Sequence, residues 1–196
     1  IRENITEVEY QKLLIYLNGK EDLTTNTKNN LRRTFILLYF TGMRVNEVKQ
    51  LKVKDINTIF EKEELIIVTH KTRKERKLFF SKEAIKQIKK CFIFNDDSKD
   101  EDFIITTKGN TLKTPNSSTF IAKVNNFIQE VLGHRYSSHS FRAGIITDMS
   151  KSINPKFIKE FGRHNFVRKI LIESLFDPYH RMNGYAESIE YYMNAT

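Results

Sequence analysis

Apolar residues recur at helical spacing along most of the chain, and only one region clearly breaks that pattern. There, a short run rich in Ile and Val, residues 64–69, is separated by a basic segment, residues 71–77, from a second apolar run, residues 78–80. Two such runs on either side of a polar turn are typical of a β-hairpin. The sequence therefore predicts a mainly α-helical domain with a small antiparallel β-sheet, an α+β fold.

The predicted helices occupy both sides of this hairpin. The first begins at Thr6-Glu7-Val8-Glu9, which has the spacing of a capping box: Thr6 caps the helix and Glu9 reaches back. Residues 18–30 are polar and predict a loop, and residues 103–106 predict a short strand. The further predicted helices span residues 31–40, 45–51, 81–94, 117–132, 140–149, 155–161, 166–176 and 178–193.

The overall charge favours a polyanionic partner. Lys and Arg number 33 against 24 Asp and Glu, a net charge of +9, which indicates nucleic acid before a membrane surface. No apolar run approaches the ~18 residues that span a bilayer. The single cysteine, Cys91, cannot form an internal disulfide, and five scattered histidines argue against a zinc site. We therefore expect a cytoplasmic protein (in a bacterium, a virus-infected host or an organellar nucleoid) without a membrane partner.

Two segments place polar residues at or near the start of a helix. In one, Arg44 follows a break at Gly42, and Glu47 comes three residues later. Alone, such an arginine is usually an ordinary surface residue. In the other, His139 and Arg142 stand three residues apart, so they project from one face of a helix. That spacing by itself is also compatible with a half-exposed polar face.

Two further segments are basic. Residues 70–77 form the tip of the predicted hairpin and carry Lys71, Arg73, Lys74 and Arg76. By composition this is a solvated turn or a loop that follows phosphates. Residues 158–164 end in Gly162-Arg163-His164, after an apolar helical stretch.

Together and in this order, the four segments resemble the sequence boxes of the tyrosine recombinase (phage integrase) family. Those boxes read Thr-Gly-x-Arg with Glu three residues on, Lys-x-x-Lys-Glu-Arg, His-x-x-Arg and Ile-x-x-x-Leu-Gly-His. This chain departs from the last box because Arg163 separates Gly162 from His164. The resemblance covers nearly the whole chain. It implies that residues 1–196 form the catalytic domain of a longer protein whose N-terminal, DNA-gripping domain is absent.

The resemblance also implies that the chain cuts and rejoins DNA through a 3′-phosphotyrosine, without metal, ATP or other cofactor. Arg44 and Arg142 would clamp the non-bridging phosphate oxygens with forked hydrogen bonds. His139 and His164 would donate further bonds. Glu47 would orient its neighbours in the site.

The basic hairpin tip supplies the acid in this family. Lys71 matches the lysine that protonates the leaving 5′ oxygen, and Lys74 and Arg73 are nearby alternatives. The basic residues expected to contact DNA are Arg73, Lys74, Arg76 and Arg163.

The nucleophile is left open between several tyrosines. The family usually has its tyrosine about nine residues after the histidine, but residues 165–173 contain none. Tyr185-Ala186-Glu187 resembles the ending common in the family, so Tyr185 is the first candidate. Tyr179 lies closer to His164 but follows a proline, and Tyr191 and Tyr192 come later. The longer spacing is compatible with donation from another subunit or with an inactive protein.

The partners expected from the resemblance are double-stranded DNA and three further copies of the chain, as a homotetramer on paired DNA sites. Two other functions fit the same residues. One is a non-catalytic DNA-binding protein derived from this fold. The other is a relative with the same chemistry, a type IB topoisomerase or telomere resolvase.

Overall fold

The computed structural model of the protein describes residues 3–68, 75–94 and 97–152. Within these residues the chain forms helices with one two-stranded antiparallel sheet, as the sequence predicts. In chain order the elements are α1 (Glu7–Gly19), α2 (Thr25–Thr41), α3 (Val45–Lys49), α4 (Val53–Lys62), β1 (Glu64–Val68), β2 (Glu75–Phe79), α5 (Lys82–Cys91), α6 (Ser117–Leu132) and α7 (Ser138–Ser152).

The first helix begins as its capping sequence predicts. The backbone N–H of Thr6 donates to the Glu9 carboxylate at 2.9 Å, which satisfies a donor that the helix leaves unpaired. Helix α1 then buries Tyr10, Leu13 and Leu17.

The prediction of a loop over residues 18–30 was wrong for its second half, because α2 begins at Thr25. The Thr24 hydroxyl caps this helix and accepts from the Thr27 N–H at 3.3 Å. The polar residues of the first turns also have partners: the Asn26 and Asn30 side-chain amides both donate to the carbonyl of Thr106, at 3.1 and 2.8 Å. The polar side chains in this part of the sequence therefore form hydrogen bonds to a distant segment and do not indicate a loop.

The predicted hairpin is present. Strands β1 and β2 pair antiparallel, with Glu64 opposite Phe79 and Val68 opposite Glu75. Arg76 lies within β2 and not in the turn, and the tip itself, residues 69–74, lies outside the described residues.

Two local predictions next to the hairpin need correction. Helix α4 was missed: it starts where the Lys52 N–H donates to the Asp55 carboxylate at 2.8 Å, and it buries Val53, Ile56 and Ile59. Residues 103–106 are not a strand, since this segment contributes only an isolated bridge between Phe103 and Lys52.

Helix α2 is the centre of the core. It packs against α1, α3, α5 and α7, and its second half is buried throughout. The fully buried ring of Phe35 contacts Phe127 of α6 and Phe141 of α7, with centroid distances of 5.6 and 6.1 Å. Aromatic side chains at such distances contribute a large part of core stability. Phe35 thus joins the helices that surround the candidate site.

Three predicted helices, residues 155–161, 166–176 and 178–193, lie outside the described residues. Among the helices that the structure describes, none has both the length and the apolar character needed to cross a membrane.

The central position of Phe35 gives a stability prediction. Phe35→Ala removes a fully buried ring between three helices, and we expect it to lower the free energy of unfolding by about 3–5 kcal/mol. Ile93→Ala is the control, because Ile93 is 77% exposed and should change the value by less than about 0.5 kcal/mol. Urea titration followed by circular dichroism measures both, and equal losses would contradict the central role of Phe35.

Candidate active site

The site is built around the end of α2. The chain leaves this helix at Gly42, whose φ of 58° and ψ of 21° are left-handed, and the Gly42 N–H donates to the Leu38 carbonyl at 2.9 Å. Glycine adopts this conformation without the steric cost that other residues meet. The turn lets α3 begin three residues later, with Arg44 as its N-cap.

Arg44 is held by Glu47. The Glu47 carboxylate accepts from the backbone N–H of Arg44 at 2.8 Å and from its Nη1 at 3.2 Å. The Glu47 side chain is only 6% exposed, whereas that of Arg44 is 44% exposed. A guanidinium has five N–H donors, so the contact with Glu47 fixes the side chain and leaves donors for a ligand.

Helix α7 supplies the second arginine and the histidine. Its first N–H, from Ser138, donates to the Asn125 side chain of α6 at 2.9 Å. Its core face carries Phe141, which stacks on Phe35, so His139 and Arg142 lie off that face. His139 is exposed, Arg142 is half-buried, and Arg142 Nη1 donates to the Gly42 carbonyl over a long 3.5 Å.

These residues line one concavity of about 150 Å³. Its lining residues come from the start of α3, from α6 and from α7: Met43, Arg44, Val45, Asn46, Ile121, Ser138, His139 and Arg142. Water occupies about 30 Å³ per molecule in the liquid, so the space is sufficient for a phosphate group. None of the lining residues that the structure describes is acidic. The concavity therefore combines two guanidiniums and an imidazole, which together favour an anion.

Two polar lining residues were missed by the sequence analysis. Ser138 directly precedes His139, and Asn46 lies between Arg44 and Glu47. The Asn46 Oδ1 atom is buried and has no hydrogen-bond partner among the described residues. The signal that could have found both is their position: Asn46 lies inside the first box, and Ser138 lies directly before the third.

A buried lysine on α3 connects two of the segments that line the concavity. Lys49 on α3 donates from Nζ to the Pro115 carbonyl and to the Ser117 hydroxyl, both at 2.7 Å. Burial lowers the pKa of its ammonium group. These bonds tie α3 to the start of α6, so the two walls of the concavity keep their spacing.

The other predicted site residues are not placed by the structure. They are Lys71, Arg73 and Lys74 of the hairpin tip and Arg163, His164, Tyr179 and Tyr185 near the end of the chain, all outside the described residues. For Arg76 only the backbone, on β2, is described. In the described part of the chain, no three His, Cys, Asp or Glu side chains group closely enough to hold a metal ion.

Comparison with known proteins assigns the family. The sequence profile of the Phage integrase family matches residues 3–171 of this chain. The chain belongs to the phage integrase family. This confirms the resemblance to tyrosine recombinases that the four boxes indicate.

One curated relative and several solved structures are similar to this integrase-family chain. A probable integrase/recombinase protein of Methanocaldococcus jannaschii is 28% identical over 183 residues, which cover 88% of this chain and 52% of that protein. XerA recombinase has a TM-score of 0.57 at 14% identity, covering 100% of this chain and 65% of that chain.

Several of the similar structures contain DNA. XerH site-specific recombinase bound to its difH substrate has a TM-score of 0.54 at 17% identity, covering 88% of this chain and 50% of that chain. The Tn1549 transposon integrase in complex with circular intermediate DNA has a TM-score of 0.54 at 15% identity, covering 98% and 66%. At these identities the likeness shows the fold, which confirms the predicted fold class. The chain spans about half to two thirds of the length of these relatives.

The turn at Gly42 gives a prediction with a matched control. A Cβ on Gly42 would lie 3.1 Å from Ile145 Cδ1, whereas one on Gly109, which also has a positive φ, would meet nothing within 4 Å. Gly109→Ala should therefore lower the free energy of unfolding by only about 1–2 kcal/mol, the cost of placing a residue with a Cβ in the left-handed conformation. Gly42→Ala adds crowding against α7, about 1–3 kcal/mol more. Chemical denaturation of both variants measures the difference, and equal costs would exclude close packing at Gly42.

Proposed function

We propose that this chain is the catalytic domain of a site-specific DNA recombinase that cuts and rejoins strands through a 3′-phosphotyrosine. The observation that carries the proposal is the concavity shared by Arg44, His139 and Arg142. Another concavity, of about 700 Å³ between α6, α2 and the segment that joins α1 to α2, is larger but is lined by none of the predicted site residues. The lining side chains, and not the volume of the concavity, therefore identify the candidate site.

The two arginines suit a reacting phosphodiester. Its anionic oxygens repel a nucleophile, and the pentacoordinate transition state carries still more negative charge. Guanidiniums fixed in advance, one by Glu47 and one near Gly42, bind that charge without rearranging. His139 adds a further donor from the same helix as Arg142. Each such donor is worth about 2.7–4 kcal/mol of the barrier.

The remaining steps use residues near the hairpin tip and the end of the chain. The hydroxyl of a tyrosine gives up its proton to solvent and its oxygen attacks phosphorus, while the bond from phosphorus to the 5′ oxygen breaks. Lys71 donates the proton that the leaving 5′ oxygen takes up, and His164 adds a donor to the phosphate. Attack by a 5′ hydroxyl then reverses the step and releases the tyrosine. One phosphoester replaces another, so ATP is not required.

We propose double-stranded DNA as the partner. The solved relatives XerH and the Tn1549 integrase are complexes with DNA. The net charge of +9 on this chain supports attraction to a polyanion. By analogy with the family, Arg73, Lys74, Arg76 and Arg163 contact the DNA, and four copies assemble on paired sites. An N-terminal DNA-gripping domain in the longer protein completes the assembly.

The role of the arginines is tested by trapping the covalent adduct. The probe is a library of short DNA duplexes with a randomised centre and a nick in one strand, so that the short released fragment diffuses away. Arg44→Ala and Arg142→Ala should each slow adduct formation by about 10²–10³-fold, because each removes one oxyanion donor. Lys86→Ala is the control: it removes the same charge from an exposed position on α5 and should leave the rate unchanged.

Denaturing gel electrophoresis measures the adduct, with EDTA present throughout. Complete absence of an adduct with the unsubstituted protein, alongside DNA binding, would indicate a non-catalytic DNA-binding protein. Strand cutting that stops with EDTA and leaves no adduct would indicate a metal-dependent nuclease. Relaxation of supercoiled plasmid without any preferred sequence would indicate a topoisomerase.

The nucleophile is assigned by two conservative variants in the same assay. Tyr185→Phe removes one hydroxyl, and we expect it to abolish the adduct while leaving DNA affinity within about threefold, since a single hydroxyl contributes little to binding a long polyanion. Tyr179→Phe is the matched comparison and should keep the adduct. The reverse result would assign Tyr179, and adduct formation by both variants would exclude both residues.

A further inference from the structure

The chain segment before α1 crosses the catalytic helix α7 in direct backbone contact. We call residues 3–5 the strap. The Glu3 N–H donates to the Arg135 carbonyl at 3.1 Å, and the Ile5 N–H donates to the Ser140 carbonyl at 3.0 Å. The strap therefore follows α7 from just before its start into its first turn.

Gly144 makes this crossing possible. A Cβ on Gly144 would lie 2.2 Å from the Ile5 carbonyl oxygen and 3.0 Å from the carbonyl carbon. Both atoms belong to the backbone, so no side-chain rotation relieves such a contact. Any residue other than glycine at this position has to push the strap away from α7.

Further contacts fasten the strap on both sides of the crossing. The Asn4 side-chain amide donates to the Thr147 hydroxyl at 2.7 Å. The Ile5 side chain is buried in the core, so the strap is fixed to the domain as well as to the helix. Ser140, Gly144 and Thr147 are four and three residues apart and so form one continuous face of α7.

The strap face and the catalytic residues share one turn of α7 but point to different sides of the helix, because side chains one or two residues apart do not face each other. His139 precedes Ser140, and Arg142 lies between Ser140 and Gly144. On its core face, α7 is set by Phe141 against Phe35 and by Ile145 against Gly42. Two packed faces define the rotation of a helix better than one. A displacement of about 1 Å at a reacting group can cost about 100-fold in rate.

We propose that the strap and Gly144 are positioning elements that set the rotation of α7 and thereby hold His139 and Arg142 at the phosphate. This inference rests on the proposed recombinase function. It assigns no chemistry to the strap, which acts only through α7. It goes beyond the recombinase boxes, because Asn4 and Ile5 lie far outside them and Gly144 acts through the space it leaves.

The experiment compares Gly144→Ala, Asn4→Ala and the double variant with the unsubstituted chain of residues 1–196. Gly19→Ala is the matched control, since a Cβ on Gly19 would meet nothing within 4 Å. For each protein, the rate of adduct formation is measured with the nicked duplex library at a saturating concentration of protein. The Kd for the DNA is measured separately. Hydrogen exchange of the amides of residues 138–152 reports on α7 directly.

Gly144→Ala should slow adduct formation by about 10–100-fold, while Kd changes less than about threefold, since the helix is misplaced and the DNA-binding charges remain. Exchange in α7 should accelerate. Asn4→Ala should slow the reaction by a smaller factor. In the double variant, Asn4→Ala should slow the reaction no further than Gly144→Ala alone, because Gly144→Ala has already displaced the strap. Gly19→Ala should match the unsubstituted chain in every measurement.

Several results would overturn the positioning role alone. They are an unchanged rate for Gly144→Ala, a loss confined to Kd, or effects of the two substitutions that multiply. If Gly144→Ala does not fold, the test rests on Asn4→Ala. A normal rate of adduct formation together with normal hydrogen exchange in this variant would reject the positioning role of the strap. An unsubstituted protein that forms no adduct rejects the recombinase function itself, and the positioning role with it.

Discussion

The backbone at Gly42 is the point on which the described site depends. Its left-handed conformation ends α2, and its carbonyl accepts from Arg142. Arg44 follows two residues later, so one backbone position relates both guanidiniums to each other. The same glycine leaves the space that Ile145 of α7 occupies. An arginine from the first quarter of the sequence and one from the third meet because two helices pack closely at a residue without a side chain.

The fold could be predicted where local signals and burial agree. Residues 117–132 were predicted to be a helix and form α6 with the same bounds, because Asn116 caps its start and Gly133 follows its end. Helix α4 was missed because its N-cap is Lys52, a residue that rarely caps, and the carboxylate of Asp55 does the capping instead. The early start of α2 was missed because its polar first turns find their partners about eighty residues away.

The residues of the candidate site likewise include some that could be predicted from the sequence and some that could not. Arg44, His139 and Arg142 could be selected from sequence because each lies in a short box with its own local structure, and the structure places them around one concavity. Lys49 could not be selected, since its role depends on the packing of α3 against α6. The orphaned oxygen of Asn46 likewise follows from burial that no spacing encodes. The roles of Lys71, His164 and the tyrosines remain predictions.

The pairing of Glu47 with Arg44 has a consequence for turnover. Among the described residues, the Glu47 carboxylate offsets one of the two guanidinium charges beside the concavity. In the proposed reaction, an unreacted phosphodiester carries one negative charge, whereas the pentacoordinate species carries about one unit more. A further positive charge would also bind intact DNA more tightly and slow its release. In the proposed recombinase, the buried carboxylate of Glu47 would thus weaken binding of unreacted DNA, and the attraction would increase mainly as the reaction proceeds.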